Sequence, residues 1–261
     1  MADVECTVKK RIAHVRFVSP ERANALRQQT FEELKEIARD LHRSPDIGAI
    51  VISGEGPIFC AGGDLKAFAA QEHLGDFVYD AATTFHATMD FFNRTDAPVI
   101  AAVEGSVGGA GVSLMAACDL AVVADNASFT LGYGAIGLTP DGSASYYLSR
   151  SIGLRRALDL ALTNRTIDAR TACEWGLVTR LVASGDALDE AMSLAGDLVD
   201  RDTLALGESK RLLVEGTDRN LREAMARETE KVSTMAARPQ VKKYIEAFLN
   251  RKRSATDKRK D

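Results

Sequence analysis

Two glycine-rich segments hold the backbone groups best placed to do chemistry: Phe59-Cys60-Ala61-Gly62-Gly63-Asp64-Leu65 and Gly105-Ser106-Val107-Gly108-Gly109-Ala110-Gly111. Each follows an apolar, strand-like run, Ala49-Ile50-Val51-Ile52 and Pro98-Val99-Ile100-Ala101-Ala102-Val103, and each leads into a helix-like pattern. Glycine lets a chain turn sharply where a strand ends and aim peptide N–H groups at a ligand. Two such turns facing each other would form a hole for an oxyanion. A carbonyl gaining negative charge there would be held by fixed dipoles in a dry site, each donor lowering the barrier by about 3 to 4 kcal/mol.

The elements that must position these turns alternate in type over the first two thirds of the chain. Residues 6–18 read as two short strands, and 26–42 as an amphipathic helix with Phe31, Leu34, Ile37, Ala38 and Leu41 on one face. Residues 47–53 read as a buried strand and 65–92 as a helix interrupted around Gly75. Next come a strand at 99–103, a helix at 109–117 and a strand at 120–124. This is an α/β pattern. From Leu188 onward the pattern is helical, with strong periodicity at 221–235 and 240–250, and no internal repeat or low-complexity linker interrupts the chain.

Composition excludes several classes. A chain of 261 residues, 46% of them hydrophobic, buries a substantial core and is not disordered. No stretch approaches the roughly 18 uninterrupted apolar residues of a membrane span. The polar start, residues 1–10, lacks the apolar centre of a signal peptide, so a cytoplasmic location is the default expectation. Cys6, Cys60, Cys118 and Cys173 are far apart in sequence, so neither a zinc site nor a disulfide framework is indicated, and buried thiols are expected. A net charge of -4 argues against a nucleic-acid partner. Only the extreme C-terminus is cationic, at Arg251-Lys252-Arg253 and Lys258-Arg259-Lys260.

Five stretches occur in a telling order: Pro20-Glu21-Arg22-Ala23-Asn24-Ala25-Leu26, FCAGGDL at 59–65, PVIAAVEGSVGGAGVSLMAACDLAV at 98–122, FTLGYGAIGLTPDGSASYYLSRSIG at 129–153, and Glu174-Trp175-Gly176-Leu177-Val178. Together they resemble the enoyl-CoA hydratase/isomerase (crotonase) superfamily over nearly the whole chain. The resemblance implies a spiral of β-β-α turns over 1–195 carrying an acyl-CoA site. It also implies a helical region over 196–261 for oligomerisation and CoA contact, with assembly as a homotrimer or a dimer of trimers. It assigns the oxyanion hole to the N–H groups of Gly63 and Ala110. Arg22, Asn24, Leu26, Ala61, Gly62, Asp64 and Leu65 resemble the elements that hold CoA, although Asp64 is also placed to cap the next helix. Phe248 and Arg251 match an aromatic and a basic residue that hold the nucleotide end. Coenzyme A enters as part of the substrate, and no separate cofactor is implied.

The chain departs from the hydratases of that family, which carry two water-activating glutamates; Ser113 and Tyr133 occupy the matching positions. A carboxylate stands nearby instead. Asp141, in Gly137-Leu138-Thr139-Pro140-Asp141-Gly142, matches the acid of several double-bond isomerases and also the aspartate nucleophile of aryl-CoA dehalogenases. Its other reading is an N-cap for a helix over 143–149. His86 matches by its spacing from Pro98 the catalytic histidine of the dehalogenase branch, and its residue type suits proton transfer near neutral pH. Tyr133 is read either as a donor to substrate or to Asp141, or as pocket packing. His14, His42 and His73 have no partner pattern and are read as structural.

The expected activity is double-bond isomerisation of an acyl-CoA thioester through an enolate, with Asp141 as proton shuttle and His86 or Tyr133 assisting. Hydration, aryl-CoA dehalogenation or hydrolysis by Asp141 and His86, and a non-enzymatic CoA-binding scaffold are the alternatives. A dinucleotide site is a weaker rival. Asp125 follows Gly105 at about the right distance, but Gly105, Gly108 and Gly111 are spaced G-x-x-G-x-x-G rather than G-x-G-x-x-G.

Overall fold

The computed structural model describes the backbone of residues 2–257 and the side chains of residues 2–250. A hairpin of β1 (Val4–Lys9) and β2 (Ile12–Phe17) leads to α1 (Gln28–His42), and then the chain winds through three strand–strand–helix turns. The first is β3 (Ala49–Gly54), β4 (Ile58–Cys60) and the helices α2 (Leu65–Ala69) and α3 (Leu74–Arg94). The second is β5 (Val99–Val103), β6 (Ser106–Gly108) and α4 (Ala110–Ala117). The third is β7 (Leu120–Ala124), β8 (Ser128–Thr130) and, after a 3-10 turn at Tyr133–Ile136, the helices α5 (Ala144–Ser151) and α6 (Leu154–Thr163). Then follow β9 (Ile167–Asp168), α7 (Ala169–Trp175), β10 (Arg180–Val182) and α8 (Ala187–Val199), before α9 (Thr203–Gly216), α10 (Leu221–Ala236) and α11 (Pro239–Asp257).

Two sheets result. The larger has six strands in the order β1-β2-β3-β5-β7-β10, parallel except for the first hairpin; the smaller has four, β4-β6-β8-β9, parallel except for the last pair. This is the α/β spiral that the resemblance implied. The central strands of the large sheet are apolar almost throughout, Ser53 near the end of β3 being the polar exception, because both faces are covered, as parallel sheets require. Ile50, Ile52 and Val103 face the main core, while Ala49, Val51 and Ile100 face α8 through Ala187, Ala191, Leu194 and Ala195. The chain forms two compact units that divide between Gly207 and Glu208, the second of them helical.

Several boundaries move from the sequence expectation, each for a local reason. The helix expected from residue 26 begins at Gln28, because Leu26 is taken into a parallel bridge with Gly63, its N–H on Gly62 O at 2.7 Å and its carbonyl accepting from Asp64 N at 3.1 Å. The break expected around Gly75 falls instead between Ala69 and Leu74, and Gly75 lies inside the first turn of α3. The strands β4, β6, β8 and β9 were not foreseen; at two or three residues each they have no periodicity to detect.

One buried side chain ties the entrance of this spiral. Asn24 is fully buried; its Oδ1 accepts from Ser19 N–H at 3.1 Å, and its Nδ2 donates to the carbonyls of Glu55 at 3.0 Å and Ile58 at 2.7 Å. It thereby holds the segment after β2 against the segment that starts β4. Asn24→Ala leaves these groups unpaired and is expected to cost about 3 kcal/mol in chemical denaturation. A loss below about 0.5 kcal/mol would mean that water replaces all three bonds.

Candidate active site

The pairing of β4 with β6, Ile58 opposite Ser106 and Cys60 opposite Val107, sets the two glycine turns side by side. Gly62 has φ +89°, and a Cβ there would meet the Gly108 carbonyl oxygen at 2.9 Å and the Ala110 nitrogen at 3.1 Å. Only a residue without a side chain allows this backbone-to-backbone contact. Neighbouring N–H groups are occupied: that of Gly62 points at Cys60 Sγ at 3.4 Å, and that of Gly109 donates to Thr130 O at 2.9 Å. The N–H groups of Gly63 and Ala110 meet no acceptor among the described residues, and both residues line one cavity of about 560 Å³. Ala110 opens α4, so its N–H belongs to the first turn, which has no intrahelical acceptor and carries the positive end of the helix dipole. Two donors without an acceptor among the described residues thus belong to residues at the wall of one cavity.

Asp141 is the sole carboxylate among the described residues lining that cavity. Tyr133 Oη donates to Asp141 Oδ1 at 2.6 Å, and Ser113 Oγ lies 3.2 Å from Tyr133 Oη. The phenol's single proton is committed to the carboxylate, so Ser113 is the donor in the second bond. The resulting chain runs Ser113 to Tyr133 to Asp141, and it begins at a hydroxyl with no exposed surface. Burial, and after it the charge of Asp141, hold the Tyr133 phenol far above the ordinary tyrosine value, with Ser113 pulling the other way. Tyr133 is therefore a permanent donor, which leaves Asp141 Oδ2 for other work.

The N-cap reading of Asp141 fails on geometry. The capping residue of α5 is Ser143, and the Asp141 carboxylate goes to Tyr133 instead. His86 meets the same loop from α3, where its Nε2 accepts the Gly142 N–H at 3.1 Å. It is exposed and is not part of the cavity wall, so the structure brings it to the residue after Asp141 rather than to the cavity.

The residues resembling CoA-binding elements divide into two sets. Ala61, Gly63 and Leu65 line the cavity, and Leu65 is 53% exposed. Asn24 and Leu26 are fully buried, with their polar groups used inside the chain, so they support the turn rather than present side chains to a ligand. Gly62 is buried at the contact just described. Asp64 caps α2, accepting from the N–H groups of Lys66 at 3.0 Å and Ala67 at 3.2 Å. Arg22 is exposed and 3.7 Å from Glu21. Phe248 lies on α11 in the second unit, 59% exposed, and the Arg251 side chain lies outside the described residues.

Other expected residues have structural partners. His14 Nε2 is 2.8 Å from Ser53 Oγ, His42 packs its ring 5.8 Å from that of Phe91, and His73 precedes α3 without capping it through its side chain. Asp125 accepts from the N–H and hydroxyl of Ser184 and so anchors a loop. The four thiols are free. Cys60 alone is buried; Cys6, Cys118 and Cys173 are only half-buried, which corrects the expectation of four buried thiols. Of the two readings of Tyr133, the structure shows the donor to Asp141. Sequence reasoning missed the bond of Ser113 to Tyr133, because a separation of twenty residues follows no period that marks contact. It also missed the part of the apolar wall formed by Phe31, Phe68, Ile136 and Leu138.

Known proteins resemble this chain in sequence and in fold. The family described as enoyl-CoA hydratase/isomerase matches residues 7–258. A 4-chlorobenzoyl coenzyme A dehalogenase of Arthrobacter sp. is 33% identical over 92% of this chain and 88% of its own length. The crystal structure of an enoyl-CoA hydratase from Polaromonas sp. JS666 superposes with a TM-score of 0.90 at 33% identity, covering 95% of this chain and 97% of that one. A structure from Thermobifida fusca YX, described as a putative enoyl-CoA hydratase in complex with acetoacetyl-CoA, superposes at 0.82 with 29% identity over 90% of this chain and 95% of that one.

The buried phenols have a measurable consequence. Tyr147 is pushed up to about 12 by burial and then by the charge of Asp119, and Tyr133 is raised as described. In the unfolded chain both lose their protons around pH 10, so the fold keeps their full contribution below that pH and loses stability as the pH rises above it. Tyrosinate absorbance in an alkaline titration should therefore fall short of the protein's five tyrosines until unfolding begins. Full ionisation of all five at about pH 10.5 with the fold intact would contradict the burial of these hydroxyls.

Proposed function

Because the chain belongs to the enoyl-CoA hydratase/isomerase family, we propose that it moves a double bond in an acyl-CoA thioester, of the 3-enoyl to 2-enoyl type. The observation that carries this reading is the single carboxylate of the cavity, Asp141, in reach of the same space as the free N–H groups of Gly63 and Ala110. An isomerase needs one base that takes a proton and gives it back. Addition of water in the manner of the two-glutamate enzymes needs two acid/base groups, and the second is lacking among the described cavity residues.

The chemistry follows from the positions. The thioester oxygen sits between the N–H groups of Gly63 and Ala110, which acidify the carbon next to the carbonyl. Asp141 Oδ2 takes a proton from that carbon; the electron pair moves into the thioester and the oxygen becomes the enolate anion held by the two donors. The same carboxyl group returns the proton further along the acyl chain, the double bond shifts, and the product has the composition of the substrate. Tyr133 keeps Oδ1 occupied throughout, so that the proton travels on one oxygen. Apolar walls exclude the water that would compete for the carboxylate.

Likeness to the Arthrobacter dehalogenase favours a second reading, in which Asp141 displaces halide from an aroyl-CoA and water then cleaves the aryl ester. The position of His86 off the cavity wall argues against it, since that branch would need a base beside the attacking water.

Mass spectrometry of 2-enoyl, 3-enoyl and halogenated aroyl CoA thioesters incubated in isotopically labelled water separates these outcomes. A shifted double bond without added oxygen is the expected product, whereas oxygen gained by addition, or in exchange for halide, would demote isomerisation. In the same assay Asp141→Asn should lower turnover about 100-fold or more with CoA binding retained. Unchanged turnover would remove Asp141 from the reaction.

A further inference from the structure

The peptide group between Asp141 and Gly142 is clamped at both ends. Its carbonyl accepts from Ala144 N at 3.1 Å, and its N–H donates to His86 Nε2 at 3.1 Å. Rotation of that peptide plane is rotation about ψ of Asp141, which would turn the side chain relative to the cavity. The following backbone gives the plane little support of its own. Gly142 and Ser143 are both left-handed, φ +57° and +67°, a conformation that serine seldom adopts and that the surroundings must therefore enforce. Gly142 is also wedged: a Cβ there would meet Phe85 Cε1 at 2.3 Å and Ser113 Cβ at 2.9 Å. Phe85 and His86 are consecutive on α3, so one helix supplies both the wedge and the clamp.

We infer that His86 is a positioning residue: its Nε2 fixes the 141–142 peptide and through it the direction of the Asp141 carboxylate, without touching the substrate. This assignment rests on the reading of Asp141 as the reacting carboxylate. The imidazole nitrogen that accepts from Gly142 has its lone pair occupied, and the ring lies off the cavity wall, so neither availability nor location suits it to receive a proton from the substrate. The carboxylate is then held from two sides, by Tyr133 at one of its oxygens and by His86 at the adjoining backbone. Glutamine provides a useful contrast, because its side-chain carbonyl reaches as far as Nε2 and accepts a hydrogen bond but does not shuttle protons.

The test combines turnover on whichever thioester of the panel the wild-type protein converts with the amide signal of Gly142 in glycine-labelled protein. His86→Ala should lower kcat about 10- to 100-fold with KM little changed, the scale of a misplaced reacting group. It should also shift the Gly142 amide resonance. His86→Gln should return that resonance toward its wild-type position and restore most of kcat. Equal loss of kcat in both variants would mean that the imidazole takes part in proton transfer and would overturn the positioning role. A Gly142 resonance indifferent to His86→Ala, or full kcat in that variant, would overturn it as well. Failure of the underlying reading looks different: Asp141→Asn would retain turnover while the Gly142 signal still answered to His86, and His86 would then clamp a loop with no catalytic part.

Discussion

The close contact of two backbones, at Gly62 on one side and Gly108 to Ala110 on the other, is the constraint on which the rest of the site depends. Parallel pairing of β4 and β6 brings the turns together, but pairing alone would leave side chains between them. With Gly62 bare, the two chains approach until the N–H groups of Gly63 and Ala110 open onto one cavity. The neighbouring N–H groups of Gly62, Gly109 and Asp64 are spent inside the fold, on Cys60, Thr130 and Leu26. These donors belong to the main chain, so a methyl side chain at Ala110 does not alter them.

The carboxylate side of the cavity is built on a different principle. Asp141 lies on a loop between Pro140 and α5 whose next two residues are both left-handed, so its direction is set by what surrounds it. Tyr133 comes from the 3-10 turn after β8, Ser113 from α4, and Phe85 and His86 from α3. Three strand–strand–helix turns thus each contribute to one hydrogen-bonded cluster. Because Ser113 donates into Tyr133 and Tyr133 into Asp141, the direction of every proton in the chain is determined, and the carboxylate it ends on lines the cavity.

The family's spiral was legible in the order of motifs, and the large sheet in the apolar runs at Ala49–Gly54, Val99–Val103 and Leu120–Ala124. Strands covered on both faces must be apolar throughout, and that pattern survives in any single sequence. The repeated strand–strand–helix unit was not legible, since its second strand has only three residues in each turn and its helices differ in length from five to twenty-one. Leu26 illustrates the limit well. Its apolar character extends the helical stripe of α1, and only its bridge to Gly63 keeps it out of that helix.

By itself the sequence determined the α/β pattern, the place of the two glycine turns, the motif order that carries the family, and the presence of Ser113, Tyr133 and Asp141. These rest on residue type and on order along the chain, which a sequence records directly. Tertiary structure alone decided that Asp141 bonds to Tyr133 instead of capping α5, that Asn24 is an internal tie, and that His86 reaches Gly142 rather than the cavity. The physical reason is common to all three. A polar side chain has several partners within reach of its own segment, and the choice among them is made by groups elsewhere in the chain, eight residues away for Tyr133 and thirty-four and fifty-six for the partners of Asn24 and His86, which enter hydrogen-bonding distance only when the helices and sheets have packed.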